Sequence, residues 1–152
     1  MIEVIAILAN IITVVAFFFG ICQYRKEKTR ENKRATIEAY TELQKDVFAE
    51  LNKWRPADIR EATTDNQTPA YKELSNYLAH IECFCAGINH EIFDFDAFYD
   101  VAHGYFDENG SLYKRLLPIL EKKLDNAQED YFQNIHKVWK RMKERSNSTH
   151  QG

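Results

Sequence analysis

Residues 4–22 read VIAILANIITVVAFFFGIC, a run of 19 residues without a charged side chain. The strongly polar side chains in this run belong to Asn10 and Thr13. An α-helix rises about 1.5 Å per residue, so the run spans about 28 Å, close to the thickness of the hydrocarbon core of a bilayer. The sequence therefore predicts a transmembrane helix over residues 1–22. The alternative is a buried helix of a protein without a membrane anchor, which rarely has so long an uncharged run.

The small side chains of this run share one side of the predicted helix. They are spaced three or four residues apart, which at about 100° per residue keeps them within one narrow stripe. Small side chains at such spacing let two membrane helices approach closely, so we expect the chain to associate with a copy of itself. This small-residue stripe consists of Ala6, Ala9, Thr13, Ala16 and Gly20.

A basic segment follows at residues 23–34 and predicts the orientation of the chain. The segment contains six cations and two carboxylates, those of Glu27 and Glu31. No cation precedes the apolar run, whereas a cleaved signal peptide has cations there. Positive charge marks the cytoplasmic side, so we expect the N-terminus outside and the following domain in the cytoplasm. The cations also suit contact with anionic lipid headgroups, although a topology signal alone explains them equally well. They are Arg25, Lys26, Lys28, Arg30, Lys33 and Arg34.

The body of the chain is acidic. Residues 35–136 contain nine Lys and Arg against nineteen Asp and Glu, a net charge of −10, whereas residues 137–145 are basic again. An acidic body does not suit binding of duplex nucleic acid, which needs a basic face. Cations near a helix C-terminus are favoured by the helix dipole, and binding of lipid, nucleic acid or a phosphate is the alternative for residues 137–145. Three cysteines do not form a disulfide framework and fit a reducing compartment.

Apolar side chains recur at helical spacing after the basic segment and predict an amphipathic helix. No Gly or Pro occurs between Gly20 and Pro56, so the membrane helix could continue into it. We expect this helix to end near Trp54, and residues 55–68 to form a loop, or a loop with one short helical turn. Its apolar positions are Ile37, Tyr40, Leu43, Val47, Leu51 and Trp54.

Four further helices are predicted by their caps and apolar positions. The expected N-terminal caps are Thr68 with Pro69, Asp94 or Asp96, and Ser111. We expect the first of these helices to end at residues 87–89 and Pro118 to interrupt the third. The expected apolar positions are Tyr71, Leu74, Tyr77 or Leu78, Ile81, Phe84 and Ile88; Phe95, Phe98, Tyr99, Val101 or Ala102, Tyr105 and Phe106; Leu112, Leu116, Leu117, Leu120 and Leu124; and Tyr131, Phe132, Ile135, Val138 or Trp139, and Met142.

The predicted fold is therefore all-α, with a single N-terminal transmembrane helix followed by a cytoplasmic bundle of about five helices. The expected boundaries are a transmembrane helix over residues 1–22, a basic and helical stalk over 23–34, a helical domain over 35–145 and a disordered tail over 146–152. About 130 residues outside the membrane suffice for one domain.

Candidate metal ligands do not complete a site in the sequence. His80 and Cys83 share a helix face, but Cys85 lies about 200° round from Cys83, and His90 follows the helix end. Packing of cysteines as small apolar side chains is the commoner role. We therefore predict no metal and no cofactor.

Carboxylates in two places resemble parts of cation sites. Asp94 and Asp96 with Asp100 resemble an acidic metal pair, and residues 107–110 (DENG) resemble part of a calcium loop. The calcium pattern requires a glutamate six residues after the glycine, where Leu116 stands, and helix capping explains the aspartates. With no Gly-rich phosphate loop, nucleophile elbow or His-Glu-x-x-His motif, we expect no enzymatic activity.

Three segments together resemble a known family. They are RATIEAYTEL at 34–43, YLAHIECFCAGINHEIFDFDAFYDV at 77–101 and SLYKRLLPILEKKL at 111–124, following a membrane helix. In this order they resemble the bacterial membrane-associated family known as domain of unknown function 4760, over roughly residues 34–124. The resemblance implies a helical protein of the bacterial inner membrane, and it implies no catalytic residue.

These features favour a membrane-anchored, non-enzymatic helical module for interaction or regulation. Its expected partners are membrane lipid, a second copy of the chain and an unidentified protein or small-molecule signal. The alternative is a ligand-gated membrane effector of the phage-defence or toxin type, whose cytoplasmic domain senses a signal such as a nucleotide. In that case Asn10 could line a polar interior between membrane helices.

Overall fold

The computed structural model describes residues 2–64, 67–106, 114 and 132–149, with side chains from Thr13 onward except at 56, 63, 106 and 149. Every regular element in these residues is a helix and none is a strand, so the predicted all-α fold is confirmed. Of the predicted leucine-rich helix after Ser111, the structure describes Lys114 alone, which is helical, and the other residues lie outside the described residues. The elements are α1 (Ile2–Leu43), a π-helical turn (Gln44–Phe48), α2 (Ala49–Lys53), α3 (Pro56–Thr64), α4 (Pro69–Asn89), α5 (Phe95–Phe106) and α6 (Gln133–Thr149).

The first helix, α1, is continuous through the apolar run, the basic segment and the first turns of the domain. Its 42 residues correspond to a length of about 63 Å. Among the residues that the structure describes, no helix combines the length and the apolar character that crossing a membrane requires. The side chains of the predicted span that precede Thr13 lie outside the described residues.

A π-helical turn follows α1 directly. The Ala49 N–H donates to the Gln44 carbonyl oxygen five residues back, instead of four as in an α-helix. The wider turn directs two successive side chains, Val47 and Phe48, into the core. A strict helical period predicts Val47 alone, and it also places Ile37 in the core, where the structure leaves 43% of it exposed.

Residues 56–64 form a nine-residue helix, α3, where the sequence predicts a loop, or a loop with one short helical turn. The N-terminus of this helix is capped, because the Arg55 N–H donates to the Asp58 carboxylate at 2.7 Å. Ala62 is fully buried and Ile59 packs against the core, so α3 covers the side of α4. The prediction was wrong because it rested on the polar composition of the segment. So short a helix needs few apolar contacts, and its other residues can be polar.

The core is built around α4, which contacts α1, α3 and α6. Tyr40 of α1 lies at its centre, with ring centroids of Phe48, Phe84 and Phe98 at 6.1, 6.2 and 5.5 Å. Tyr40 contacts Phe84, and Trp54, further along the chain after α2, contacts the earlier Tyr77, so α4 runs antiparallel to the segment from α1 to α2. The buried predicted positions of α4 to α6 are Leu74, Tyr77, Leu78, Ile81, Phe84, Ile88, Phe98, Ala102, Phe132, Ile135, Val138, Trp139 and Met142, whereas Val101 is exposed.

The turn between α4 and α5 is closed against α1 by hydrogen bonds. The Gly87 carbonyl oxygen accepts bonds from the N–H groups of Ile92 and Phe93, at 3.0 and 3.1 Å. The next amide, of Asp94, donates to the hydroxyl of the fully buried Thr36 at 2.7 Å. That hydroxyl donates in turn to the Asn32 carbonyl oxygen at 2.6 Å. One buried hydroxyl therefore joins α1 to this turn.

The last helix, α6, begins at a cap that α4 supplies. The Glu82 carboxylate accepts from the backbone N–H groups of Asn134 and Ile135, at 2.9 and 3.0 Å, which suits the positive end of the helix. The α6 helix continues to Thr149, so the tail predicted as disordered from Ser146 is helical over residues 146–149. The Ser148 hydroxyl supports this last turn by donating to the Glu144 carbonyl oxygen. Residues 150–152 lie outside the described residues.

Substitution of Gly87 by alanine is expected to destabilise the domain. A Cβ atom at this position would lie 2.5 Å from Cδ2 of Phe93, so the ring must leave its place beside α4. We expect the free energy of unfolding to fall by about 1–3 kcal/mol in denaturant titrations of the full chain followed by circular dichroism.

The matched control is Gly104→Ala in α5, because no atom lies within 4 Å of the Cβ position there. This change is expected to leave stability unchanged or to raise it by up to about 1 kcal/mol. Equal effects of the two substitutions would contradict the role assigned to the contact between Gly87 and Phe93.

Candidate functional site: a groove between α1 and α4

A groove with a volume of about 370 Å³ lies where the end of α1 and the π-helical turn face α4. Its floor is apolar and mostly aromatic. The rings of Phe84 and Phe93 stack there with their centroids 5.2 Å apart. The remaining floor residues are Leu43, Val47 and Tyr77. This groove is the candidate site, because concave surfaces with an apolar floor and a few polar groups are typical of ligand pockets.

The rim of the groove is polar and exposed. Glu42 and Asp46 stand on the side of α1 and the π-helical turn. Asn76, His80 and Cys83 stand opposite on α4. A π-helical turn inside an α-helix often marks a functional site, and here it carries both Asp46 and the buried Val47.

Two tyrosines of the core and groove keep their protons at unusually high pH. Tyr77 donates to the Glu73 carboxylate at 2.6 Å, and this hydrogen bond is the main cause that raises the pKa of Tyr77 to about 12. Burial raises the pKa of Tyr40 to about 12. A tyrosine is neutral at physiological pH even without such a shift, so these two hydroxyls add no charge to the core or the groove.

The cysteines of α4 have different surroundings, as their spacing predicts. Cys83 is exposed on the groove beside the exposed His80, whereas Cys85 is buried in the core. Burial raises the pKa of the Cys85 thiol well above its ordinary value, so this thiol is unreactive. His90 stands apart at the end of α4. No group of three or more His, Cys, Asp and Glu residues in the described part of the chain could hold a metal ion.

The aspartates that resembled a metal pair have separate structural roles. Asp94 caps α5, since its carboxylate accepts the Ala97 N–H at 2.8 Å. Asp96 forms an ion pair with Arg145 of α6, and Asp100 is exposed. The calcium-like residues 107–110 lie outside the described residues.

Two of the cations near the C-terminus take part in packing of α6 against α5. The Arg141 guanidinium lies 4.0 Å from the ring centroid of Phe95, and that of Arg145 lies 4.6 Å from the ring centroid of Tyr99. Cation–π contacts of this kind stabilise an exposed interface by about 0.5–1 kcal/mol each. These contacts give both arginines a structural role beyond the favourable helix dipole.

The residues predicted to pack in the membrane and to touch lipid lie on α1. Thr13, Ala16 and Gly20 are exposed on the single chain, while the side chains of Ala6 and Ala9 lie outside the described residues. All six cations of the basic segment are exposed, and Arg34 forms an ion pair with Glu38 at 2.7 Å. These six cations are Arg25, Lys26, Lys28, Arg30, Lys33 and Arg34.

The groove itself was not predicted from the sequence. Its one sequence signal is the pair Glu42 and Asp46, four residues apart beside the apolar positions of the same helix. Neither the π-helical turn nor the position of α4 opposite this pair follows from helical periodicity. Both are results of packing between segments that are distant in the chain.

Comparisons with known proteins identify one match. A family model described as Domain of unknown function (DUF4760) matches residues 9–142, which is most of the chain. No curated protein and no solved structure matches the chain.

The two tyrosines predict how stability depends on alkaline pH. Because their pKa is about 12 in the folded chain and about 10 when unfolded, their contribution is complete below pH ~10 and is lost as the pH rises towards 12. We expect the free energy of unfolding to fall over this range, and to fall less steeply in Tyr77→Phe and Tyr40→Phe. The measurement is a series of denaturant titrations across alkaline pH.

The control for this series is Tyr24→Phe, which removes an exposed hydroxyl from α1. It should keep the wild-type dependence on pH. If Tyr77→Phe lost stability as steeply as the wild type, the hydrogen bond to Glu73 could not be what holds the proton on Tyr77.

Proposed function

Since the chain belongs to the family described as Domain of unknown function (DUF4760), whose description names no activity, we propose a function from its own residues. The chain is a single-pass protein of the bacterial inner membrane, and its cytoplasmic helical domain is a non-enzymatic interaction or regulatory module. The membrane helix comprises residues 1–22, and copies of the chain associate through it.

The observation that carries this proposal is the continuity of α1 from exposed apolar side chains into the core. Large apolar side chains at five positions between residues 14 and 19 are exposed by 54–66%, and lipid would cover them. The same helix then carries the buried Tyr40 and Leu43. A movement of the domain would therefore reach the membrane segment through one rigid element. The exposed residues are Val14, Val15, Phe17, Phe18 and Phe19.

The basic segment supports the orientation and a contact with lipid. Residues 23–34 lie on α1 between the apolar run and the domain, and their six cations are exposed. Cations at this position favour a cytoplasmic domain and attract anionic headgroups. Five of the six form no ion pair with another described residue, so they are available to lipid.

The groove is where we place the protein or small-molecule signal of this module. Its walls come from α1 and α4, so an occupant would touch the helix that enters the membrane. The nearest groove residue of α1, Ala39, lies 17 residues from Cys22, a distance of about 25 Å along the helix. The signal would therefore act near the membrane without being inside it.

The small-residue stripe provides the test of this proposal. Ala16→Leu and Gly20→Leu add bulk on the stripe and are expected to reduce crosslinked dimers of the full chain in bilayers at least about fivefold. Phe18→Leu is the matched control, because Phe18 lies about 200° round the helix from both positions. This control should retain wild-type crosslinking.

Fractionation of the same cells tests the anchor separately. All three variants and the wild type should stay with the membrane after an alkaline carbonate wash, and protease added outside should leave the domain intact. A wild-type chain released by the wash would contradict the anchor. Dimers that survive both leucine substitutions would contradict self-association through the stripe.

A second function is favoured by the position of the groove beside α1. Because an occupant would touch the helix that carries the apolar run, the chain could instead be a ligand-gated membrane effector. In that case the signal would rearrange associated membrane helices so that they permeabilise the bilayer.

Induced expression separates the two functions. The effector predicts growth arrest with loss of the membrane potential, measured with a potential-sensitive dye, and Gly20→Leu should abolish both effects. Harmless overexpression, with and without the phage or stress that would supply the signal, would count against the effector and favour the interaction module.

A further inference from the structure

We propose that the groove between α1 and α4 binds a small organic ammonium ion with an apolar body. The inference rests on the proposed function, in which this groove receives the signal, and it names the chemical class of that signal. Three properties of the groove support it: its size, the charge of its rim and the chemistry of its floor.

The size of the groove fits a small molecule. A volume of about 370 Å³ lies in the range of about 300–1,000 Å³ that small-molecule sites occupy. The lining residues extend from 39 to 47 on one wall and from 76 to 84 on the other, a length of about 12 Å. A stable protein interface requires roughly 1,000 Å² or more, so this short groove does not suit a protein helix.

The rim supplies negative charge on one side. Glu42 and Asp46 are four residues apart on the same wall and both are exposed. Neither carboxylate forms an ion pair with a cation in the described residues, unlike Glu50, which bonds Lys53. One ammonium group between them would be attracted by both carboxylates, and the acidic body of the chain would raise the local concentration of cations.

The floor supplies the complementary surface for an apolar body. The rings of Phe84 and Phe93 are stacked, and the Tyr77 ring is held by its hydrogen bond to Glu73. Aromatic rings attract ammonium groups through their negative faces and bury aliphatic or aromatic carbon. A neutral molecule would use the floor without the rim, and an anion would be repelled by the rim. The cation uses both.

An occupant of this kind would bridge the two walls of the groove. It would contact Glu42 and Asp46 on one side and His80 and Cys83 on the other. A bound cation would therefore favour one spacing between the π-helical turn and α4, which gives the signal a route to α1.

Cys83 provides a readout inside the groove. The probe is benzyltrimethylammonium, applied to the full chain in nanodiscs of zwitterionic lipid, and the rate of Cys83 alkylation by neutral iodoacetamide is measured by peptide mass spectrometry. We expect saturating probe to slow this alkylation at least about threefold. The matched probes are neutral N,N-dimethylbenzamide and anionic phenylacetate, which should protect Cys83 more weakly or not at all.

Variants of the rim test the charge. Glu42→Gln combined with Asp46→Asn should raise the probe concentration for half-protection about tenfold, a typical effect of two exposed ion contacts. Both side chains are exposed, so the fold should persist. Asp100→Asn removes an exposed carboxylate from α5 outside the groove and should leave protection unchanged.

The proposal is overturned if the ammonium probe does not protect Cys83, if the neutral and anionic probes protect it equally, or if the double rim variant binds like the wild type. Membrane retention and crosslinking of the same samples report on the anchor and the stripe. Loss of protection with both of these intact would refute the ligand class alone, and the proposed function would stand.

Discussion

The arrangement of the domain depends on the burial of Tyr40 among aromatic rings from three other parts of the chain. Its ring contacts Phe48 of the π-helical turn, Phe84 of α4 and Phe98 of α5. Aromatic pairs of this geometry contribute about 0.5–1.5 kcal/mol each beyond the burial of apolar area. Because Tyr40 belongs to α1, these contacts make the helix with the apolar run an integral part of the domain core. The apolar run and the domain core are therefore parts of one continuous helix.

Two further features of the domain involve α1 beyond the basic segment. The Thr36 hydroxyl holds the turn between α4 and α5, and the groove lies one to three helical turns further along α1. Phe93 belongs to both the turn and the groove. Its N–H donates to the Gly87 carbonyl oxygen in the turn, and its side chain forms part of the groove floor. A change in the groove can therefore alter the packing of this turn on α1. This coupling is a physical reason to place a signal in the groove, and it requires no catalytic group.

Sequence periodicity predicts the helices well where packing obeys the ordinary α-helical repeat. The caps at Thr68 and Asp94 and the apolar positions of α4 and α6 follow from local rules, and the structure confirms them. The π-helical turn and α3 were missed because each depends on long-range contacts. The extra residue in the π-helical turn becomes favourable only when both Val47 and Phe48 are covered by the rest of the domain. The α3 helix is stabilised by contact of Ala62 and Ile59 with the core. The groove was missed for the same reason, since its walls are about 40 residues apart in the sequence.

Part of the family resemblance rests on residues of the connection between α4 and α5, which have a structural role. Gly87 has no Cβ because the Phe93 ring occupies that space, and Glu91 follows with a positive φ of 59° where the chain leaves α4. The absence of a side chain at Gly87 is therefore required by the connection between α4 and α5. The rim of the groove makes no such structural contribution, because Glu42, Asp46 and Cys83 are exposed. Where the fold does not require an exposed side chain, binding of a ligand can determine which residue stands there. The chemistry of this domain is therefore to be sought at the rim of the groove.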